Sequence, residues 1–562
     1  MSLKLFCVII CFGITETINF SNNSDVVLNV NITTTTQTPN TTQSTPKPIE
    51  TAAEKETHGS MTIFFVLTVL GICIISINML IKTNFIYLPE SVAVVFLGAL
   101  VGGCIKLLKT YNLGNWQKEE VFDPTLFFLV LLPPIIFESG YNLHKGNFFA
   151  NLGSIVVFAV FGTIISAITI GCGVFMLGKA KIAYELTFRE SFAFGSLISA
   201  VDPVATLAIF HALKADPLVK MLVFGESILN DAVAIVLTKA VLLESSSFLF
   251  SFVLFIKIFF GSAVIGVLFA LVSALILKYI DLRHHPSLEL GMMFIFSYAP
   301  YGLAEGLQLS GIMAILFCGI VMSHYTHFNL SPVTQITVQH VFRTTAFMSE
   351  TCVFAYLGMS IFSYTHKIEI SFVVWSVIFC LIGRAFNVFP LSFILNYFRE
   401  TKINRRYQVI MWFSGLRGAI AFALCLNLEE FEPEKRRLLV STSLVIILFT
   451  IFILGGSTLP LLKFLKATTI NSNETLTLSK TAAEGSAVEP DQLTDDEWRL
   501  THKIAMKGFI KLDAKYLVPF FTRTITRQEI IDAHHEMELM TSRWYNEVRE
   551  SPEGSNEKLM GT

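Results

Sequence analysis

Two aspartates stand out for the chemistry they could perform, because each lies inside an otherwise apolar stretch of sequence. Asp231 ends the sequence GESILND, and no lysine or arginine lies one helical turn away from it. Burial disfavours a charged carboxylate, so Asp231 would bind a proton unless a cation lay beside it. One carboxylate of this kind holds either ion but hardly both. Asn230 precedes it and lies on the same helix face as Glu226, four residues earlier.

The second aspartate, Asp202, precedes a proline in the sequence AVDPVAT. Proline lacks a backbone donor and disfavours helix at the residue before it. Carbonyl oxygens freed by such a break, together with the carboxylate, are suitable ligands for a small cation. The alternative is a simple kink in which Asp202 only caps a half-helix. The sequence therefore predicts that Asp231 and Asp202 are transient ligands of a cation.

Other charged residues in apolar segments form a second group of candidates, because charge within a membrane span is costly. Glu226 and Arg384 have opposite charges, and we expect them to pair, since a buried charge needs a partner. The alternative is that Glu226 itself carries a proton. Glu138 and Glu305 lie near segment ends. They are predicted to line an access path, with a solvated helix end as the alternative for Glu138.

The composition indicates the elements that must position these residues. The chain is 53% hydrophobic and only 15% charged, whereas soluble domains carry about 25% charged residues. Runs of about 20 apolar residues fit a hydrocarbon core about 30 Å thick, so the sequence predicts an all-α polytopic membrane protein. Thirteen hydrophobic segments, here called spans, lie at 61–81, 89–107, 124–138, 152–178, 190–211, 219–244, 252–279, 288–304, 309–324, 345–363, 370–396, 407–427 and 437–463. The net charge of −2 and the lack of a basic block argue against a nucleic-acid partner.

Two of these spans are interrupted. Asp202–Pro203 breaks span 5, and the sequence SGLRGAI breaks span 12 with two glycines and Arg417. Interrupted spans at corresponding positions of two halves are the best sequence indication of a transporter binding site. Spans 1–6 and 8–13 would be these halves, with span 7 as the link.

The chain is predicted to have four parts. Residues 1–20 are a predicted signal peptide, with an uncleaved anchor as the alternative. Residues 21–59 form a predicted disordered arm outside the cytosol, with glycosylation sequons at Asn22, Asn31 and Asn40. Residues 60–465 form the transmembrane domain, and residues 466–562 form a tail.

The distribution of lysine and arginine among the loops predicts a cytosolic tail. By the same rule, the sequons at Asn329 and Asn473 would stay unmodified. Residues 496–548 of the tail mix aromatic and charged side chains. This composition allows the segment to pack against the membrane domain or to lie on the lipid surface.

Four motifs occur in order along the chain: LLPPIIFESGY at 131–141, AVDPVAT at 200–206, FGESILND at 224–231 and GLRGAI at 415–420. Together they resemble the sodium/proton exchanger family, and the likeness extends over the whole membrane domain. Within that family the chain resembles an endomembrane exchanger. The resemblance implies exchange of sodium for protons by alternating access, which regulates lumenal and cytosolic pH. It also implies a homodimer, and two inverted six-helix repeats whose discontinuous spans 5 and 12 cross.

The resemblance also assigns roles to residues. Asp231 is implied to be the ion carrier and Asp202 part of its site, while Glu226, Arg384 and Arg417 are implied structural charges. Asn230 before Asp231 resembles the electroneutral branch of the family. The implied location is the Golgi or endosomal membrane, with the plasma membrane as the alternative.

Two other functions stay open at this point. Potassium/proton antiport is the first, since the sequence does not define the radius of the cation site. A passive cation channel is the second, although the sequence has no filter motif of the kind that forms a ring. No pairing of a nucleophile with a base and no cluster of metal ligands indicates an enzyme, and no cofactor is expected.

Overall fold

The structure is a computed structural model that describes residues 52–82, 90–111, 124–143, 145–202, 217–242, 248–283, 285–363, 366–399, 402–428, 430–464 and 516–523. Within these ranges every regular element is helical, as the sequence predicts for an all-α protein. The predicted signal peptide and the sequons at Asn22, Asn31 and Asn40 lie outside the described residues.

The helices of the first half follow the predicted spans, and we number them accordingly. They are α1 (Ala52–Lys82), α2 (Glu90–Thr110), α3 (Pro124–Tyr141), α4 (Lys145–Val156, continued by Val157–Gly162 and Thr163–Lys179), α5 (Phe188–Ile198) and α6 (Pro217–Leu242). Within α3 and α4, the segments Phe127–Leu131 and Val157–Gly162 are π-helical turns. The second half of predicted span 5 lies outside the described residues.

The second half continues this order. Its helices are α7 (Phe248–Tyr279), α8 (Pro286–Gly306), α9 (Gly311–His324), α10 (Pro332–Ser363), α11 (Ile370–Phe398), α12a (Arg405–Phe413), α12b (Ala419–Leu426) and α13 (Pro433–Phe449, continued by Thr450–Gly455 and Gly456–Phe464). A short helix in the tail, α14 (Val518–Phe521), completes the set.

Nine helices of the described part are long and apolar enough to cross a membrane. They coincide with nine of the thirteen predicted spans, and the other four are spans 5, 8, 9 and 12. Spans 5 and 12 are broken, α9 is short, and α8 contains polar residues such as Ser297 and Tyr301 that lower its hydropathy. The thirteen crossings therefore stay a prediction, whereas the membrane-protein class is confirmed.

Two helices begin earlier than the hydropathy indicates. Helix α10 starts at Pro332 rather than at residue 345, because its first turns are polar and continue the helix beyond the apolar run. The buried carboxylate of Glu289 fixes this start by accepting hydrogen bonds from the Ser331 hydroxyl at 2.6 Å and the Ser331 amide. Helix α1 begins at Ala52, within the segment predicted as the end of the disordered arm.

The helices pack in two groups. Helices α1–α3 and α7–α10 form the scaffold bundle, in which α10 packs on α2, and α9 packs on α3, α7 and α8. Helices α4–α6 and α11–α13 form the core bundle, in which α4 packs on α5 and α11, and α12b packs on α13. The two bundles meet where α6 contacts α7 and where α10 contacts α12b. The core bundle contains both broken helices.

Small residues set the spacing between α2 and α10. A methyl group added at Gly98 would overlap the backbone carbonyl of Ala355, and one added at Gly358 would overlap that of Val95. Helix association in membranes depends on such close packing, because lipid supplies no hydrophobic drive between helices. Gly98 and Gly358 thus let the scaffold helices approach to backbone contact.

We predict that Gly98→Ala destabilises the scaffold by about 1–3 kcal/mol, because the helices must separate to admit the methyl group. The matched control is Gly71→Ala in α1, where an added methyl group meets nothing within 4 Å. Thermal unfolding of the detergent-solubilised protein measures the difference. Equal melting temperatures for the two variants would contradict backbone contact at Gly98.

Candidate functional site

The breaks of spans 5 and 12 meet at one point in the core bundle. Helix α5 ends at Ile198, and the chain runs without helical structure from Ala200 to Asp202. Helix α12a ends at Phe413, and α12b begins after Gly418. The amide of Asp202 donates a hydrogen bond of 3.0 Å to the carbonyl oxygen of Leu416. One unwound segment is therefore hydrogen-bonded directly to the other, as crossed discontinuous helices require.

The Asp202 side chain packs against Gly418, the residue before α12b. A Cβ atom at Gly418 would lie 2.7 Å from Asp202 Oδ2 and 2.5 Å from Asp202 Cβ. Only glycine admits this approach. The N-terminal end of a helix attracts negative charge, so the start of α12b is a favourable place for a carboxylate.

Arg417, in the unwound segment of span 12, binds the unwound end of α5. Its guanidinium Nη1 donates to the carbonyl oxygens of Ser199 at 2.9 Å and Ala200 at 3.1 Å. These carbonyls follow the end of α5 and have lost their helical donors, and a cation at a helix C-terminus is stabilised by the helix dipole. Its Nε lies 2.9 Å from Cys380 Sγ, and its backbone amide donates to Thr450. Arg417 is 1% exposed and links α5, α11, α12 and α13.

Asp231 lies on α6 beside this crossing. The Ser227 hydroxyl, one turn earlier, donates a 2.7 Å hydrogen bond to the carbonyl oxygen of Val201. Residues four apart share a helix face, so Asp231 faces the same region. Its side chain is buried, and in the described part of the chain it has no hydrogen bond or ion pair. It is close enough to Asp202 for the two carboxyl groups to interact electrostatically.

The neighbouring Asn230 is 1% exposed, and neither atom of its amide group has a hydrogen-bond partner among the described residues. Burying a polar group without a hydrogen bond costs free energy. Asn230 therefore keeps donor and acceptor capacity in the same buried region as Asp231. The amide is neutral, so it adds no charge to the site.

The predicted pairing of Glu226 with Arg384 is present. Arg384 Nη2 donates to Glu226 Oε2 at 3.0 Å, and Nη1 contacts Glu226 Oε1. Asn387 adds a hydrogen bond to Glu226 at 3.2 Å. Arg384 Nη2 also donates to the carbonyl oxygen of Met411 at 2.8 Å, near the C-terminal end of α12a. Arg384 therefore binds a carbonyl oxygen near the C-terminal end of α12a, much as Arg417 binds carbonyl oxygens just after the C-terminal end of α5.

The charges at the crossing do not cancel. The core bundle contributes three carboxylates and two guanidiniums there: Asp202, Glu226, Asp231, Arg384 and Arg417. With all five ionised the sum is one negative charge, and one bound monovalent cation or one proton brings it to zero. Since Glu226 is already paired with Arg384, the remaining charges are those of Asp202, Asp231 and Arg417.

The two remaining predicted residues lie at different places. Glu138, on α3 in the scaffold bundle, accepts a hydrogen bond of 2.8 Å from Asn142. Glu305 pairs with Lys239 Nζ at 3.1 Å and accepts from the amide of Gly311 at 2.9 Å, so it also caps α9. Lys239 lies about two helical turns beyond Asp231 on α6. Their role as an access path stays a prediction.

Sequence reasoning missed Glu350, on α10 of the scaffold bundle. Its Oε1 atom is buried without a hydrogen-bond partner among the described residues. Its carboxyl group interacts electrostatically with Asp202 and Glu138. The signal was available, because Glu350 is a single acid within predicted span 10, where any charge is costly.

A sequence profile of the family described as "Sodium/hydrogen exchanger, transmembrane" matches residues 66–464. The chain belongs to this family. The resemblance drawn from the four motifs is thereby confirmed. The matched range covers both bundles and all five charged residues at the crossing, so the site described above lies within the exchanger domain.

Individual relatives cover most of the chain. It is 56% identical over 529 residues to sodium/hydrogen exchanger 8 of Homo sapiens, covering 90% of this chain and 91% of the relative. Identity to sodium/hydrogen exchanger 8 of Gallus gallus is 54% over 566 residues, covering 96% and 98%. Sodium/hydrogen exchanger 1 of Dictyostelium discoideum is 37% identical over 499 residues, covering 88% and 71%.

A solved structure shares the exchanger fold. The sodium proton antiporter MjNhaP1 from Methanocaldococcus jannaschii, at pH 8, superposes with a TM-score of 0.55 at 16% sequence identity. The match covers 76% of this chain and 98% of that one. At this identity the likeness concerns the fold alone.

We predict that Arg384→Met destabilises the protein by about 3–5 kcal/mol, because it leaves Glu226 buried without its partner. The double variant Arg384→Met/Glu226→Gln should be less destabilised than Arg384→Met, since no unpaired charge remains. Thermal unfolding in detergent tests this cycle. Lys179→Met, which breaks an exposed pair with Glu185, is the control and should change stability by about 0–1 kcal/mol. Additive losses in the double variant would show that the two side chains are not coupled.

Proposed function

We propose that this protein exchanges sodium for protons across a membrane, and that Asp231 carries either ion in turn. The observation that carries the proposal is the uncompensated carboxylate of Asp231, buried beside two crossed, broken helices in a chain of the exchanger family. The exchange activity printed in the names of the relatives supports it.

The arrangement suits competition between the two ions. Asp231 and Asp202 repel each other while both are charged, and this repulsion is relieved either by a cation between them or by a proton on one of them. Asp202 would be the second ligand of sodium, with backbone carbonyls of the broken segments as further oxygen ligands. Arg417 connects these segments to α11 through Cys380, so that the ligands would keep their positions when the site empties.

The charge balance supports electroneutral exchange. Asn230 is neutral, so the charged residues of the core bundle at the crossing have one negative charge to compensate, and one sodium ion or one proton does so equally. The site would then cross the membrane field with the same net charge in both directions. The membrane potential, worth about 2.3 kcal/mol per charge per 100 mV, would neither drive nor oppose the cycle.

Three wider features belong to the same proposal. The core bundle, which contains the ion site, would move against the scaffold bundle so that the site opens to each face alternately. The scaffold bundle would join two copies in a homodimer. The protein would act in Golgi or endosomal membranes, with the plasma membrane as the alternative, and would there regulate lumenal and cytosolic pH.

We predict that Asp231→Asn reduces sodium-driven proton flux in sealed proteoliposomes to background, because an amide cannot carry a proton in exchange for sodium. Asp202→Asn should raise the sodium concentration for half-maximal flux about tenfold or more, as expected for the loss of one charged ligand. The control is Glu185→Gln, a change at an exposed acid, and it should leave flux unchanged. Full flux in Asp231→Asn would exclude this residue as the carrier.

The same vesicles test stoichiometry and ion choice. Clamping the membrane potential at two values should leave the wild-type sodium-driven flux unchanged. Replacing sodium by potassium should abolish the flux. Equal flux with potassium would favour the potassium/proton alternative, and flux that follows the potential would contradict electroneutral exchange.

Orientation is open to a separate test. We propose that the N-terminal arm lies outside the cytosol and that the tail lies inside it. Replacing Asn22, Asn31 and Asn40 by glutamine should then remove all N-linked glycan, as measured by the mobility shift on glycosidase treatment. Asn329, which is 2% exposed and hydrogen-bonded, should carry none. Glycan that persists in the triple variant would place another loop outside the cytosol.

A further inference from the structure

A segment of the C-terminal tail is docked on the scaffold bundle. Residues 516–523, here called the tail anchor, lie against the end of α7 and the loop between α9 and α10. Lys278 Nζ, near the end of α7, donates to the carbonyl oxygens of Pro519 at 3.0 Å and Phe520 at 2.8 Å. Both carbonyls lie within the short helix α14, so the lysine joins the anchor to the scaffold.

Two residues of the anchor are buried, Phe521 and Thr522, and Phe521 is the apolar one. Phe521 is 8% exposed, and its ring lies 5.3 Å from the ring of Tyr325, between the centroids. Phe521 and Tyr325 form a small apolar cluster with Ala274 of α7. The neighbouring Phe520 is 56% exposed. Phe520 lies edge-on to Phe521, with 4.9 Å between the ring centroids. The two adjacent phenylalanines differ strongly in burial, which provides a matched pair for experiment.

Asn329 joins the anchor to the scaffold through both atoms of its amide group. Its Nδ2 donates to the carbonyl oxygens of Phe521 and Ala274, each at 2.9 Å. Its Oδ1 accepts a hydrogen bond of 2.8 Å from the amide of Arg523. Asn329 is buried, so losing the anchor leaves two of its hydrogen bonds without a protein partner.

An ion pair marks the edge of the docked segment. Arg523 Nη1 lies 3.5 Å from Asp281 Oδ1, in the loop after α7. Arg283 donates a hydrogen bond of 3.2 Å to the same oxygen. That hydrogen bond, with the positive charge of Arg523 as a smaller contribution, holds the pKa of Asp281 below its usual range. Asp281 thus stays charged at neutral pH and attracts the anchor.

The docked anchor makes the tail a covalent connection between the two bundles. The tail leaves the membrane domain from α13 in the core bundle, and residues 465–515 connect α13 to the anchor on the scaffold bundle. The tail thereby spans the two bundles. A connection of this length does not by itself limit their movement, since about 50 residues reach far beyond the width of a bundle when extended.

The loop that the anchor contacts is also hydrogen-bonded to the end of α3. His327 Nδ1, two residues before Asn329, lies 2.8 Å from the hydroxyl of Tyr141, at the end of α3. Tyr141 is 2% exposed and lies one turn after Glu138. The anchor and the end of α3 thus both contact one short loop, residues 325–331.

We propose that the docked tail anchor restrains exchange by holding loop 325–331, and through it the end of α3, in one position. Release of the anchor loosens this loop and lets the membrane domain open more readily on the side of the tail. The surface formed by Lys278, Tyr325 and Asn329 is then a docking site for the protein's own tail. The effect on transport rests on the proposed exchange function, whereas the docking does not.

Hydrogen–deuterium exchange of the full-length protein tests the docking. Phe521→Ala should speed amide exchange in residues 325–331 by about tenfold or more, since local opening becomes less costly. Phe520→Ala should leave it at the wild-type rate. Phe521→Ala changes only the tail and so leaves the membrane helices intact. Asn329→Ala combined with Phe521→Ala should add little to either change alone, because both remove one contact. Unchanged exchange in Phe521→Ala, or equal change in Phe520→Ala, would overturn the proposal.

Transport by the same variants tests the restraint. Under fixed sodium and proton gradients, Phe521→Ala should raise the initial rate of sodium-driven proton flux about twofold or more, as expected when an opening step limits the rate. Phe520→Ala should transport like the wild type. Faster amide exchange with an unchanged or lower flux would reject the restraint while leaving the docking in place. Absence of sodium-driven flux in the wild type would instead contradict the proposed function.

Discussion

A broken helix inside a membrane must find partners for the backbone groups that it releases, and this requirement governs the whole core bundle. Arg417 meets it for α5 by binding the carbonyls of Ser199 and Ala200. Arg384 meets it for α12a through Met411 while also pairing with Glu226. The two buried arginines thus have a stabilising task that is fulfilled before any ion binds. Without them, the unwound segments that expose Asp202 would be too costly to keep at this depth.

The same engagement of the arginines bears on Asp231. Both arginines are engaged with backbone carbonyls or with Glu226, so neither forms an ion pair with Asp231 in the described part of the chain. A structural charge that neutralised Asp231 would make the protein more stable and would remove its reason to bind a cation. The site thus combines charges engaged by hydrogen bonds with the buried carboxylate of Asp231.

Much of this was predictable from local sequence, because each broken span carries its own proline or glycine and each buried charge stands out from apolar neighbours. Asp231, Asp202, Glu226 and Arg384 were found in this way, and so was the pairing of the last two. The capping of α5 by Arg417 could not be predicted in this way. It joins residues more than 200 positions apart, and it does so through backbone atoms that carry no sequence signal. Glu350 was overlooked although the same rule marks it. The polar start of α10 was missed because hydropathy detects apolar surface rather than helix.

The tail anchor also bears on the order in which the molecule is assembled. Lys278, Tyr325 and Asn329 are synthesised well before residues 516–523, so the receiving surface must wait for the end of the chain. Until then, the Asn329 amide group lacks the carbonyl of Phe521 and the amide of Arg523. Docking can take place only when every preceding helix has been made and the last of them has delivered the tail to the correct face. The contact therefore closes the fold late in biogenesis, and a chain cut short or inserted in the wrong orientation would keep that surface uncovered.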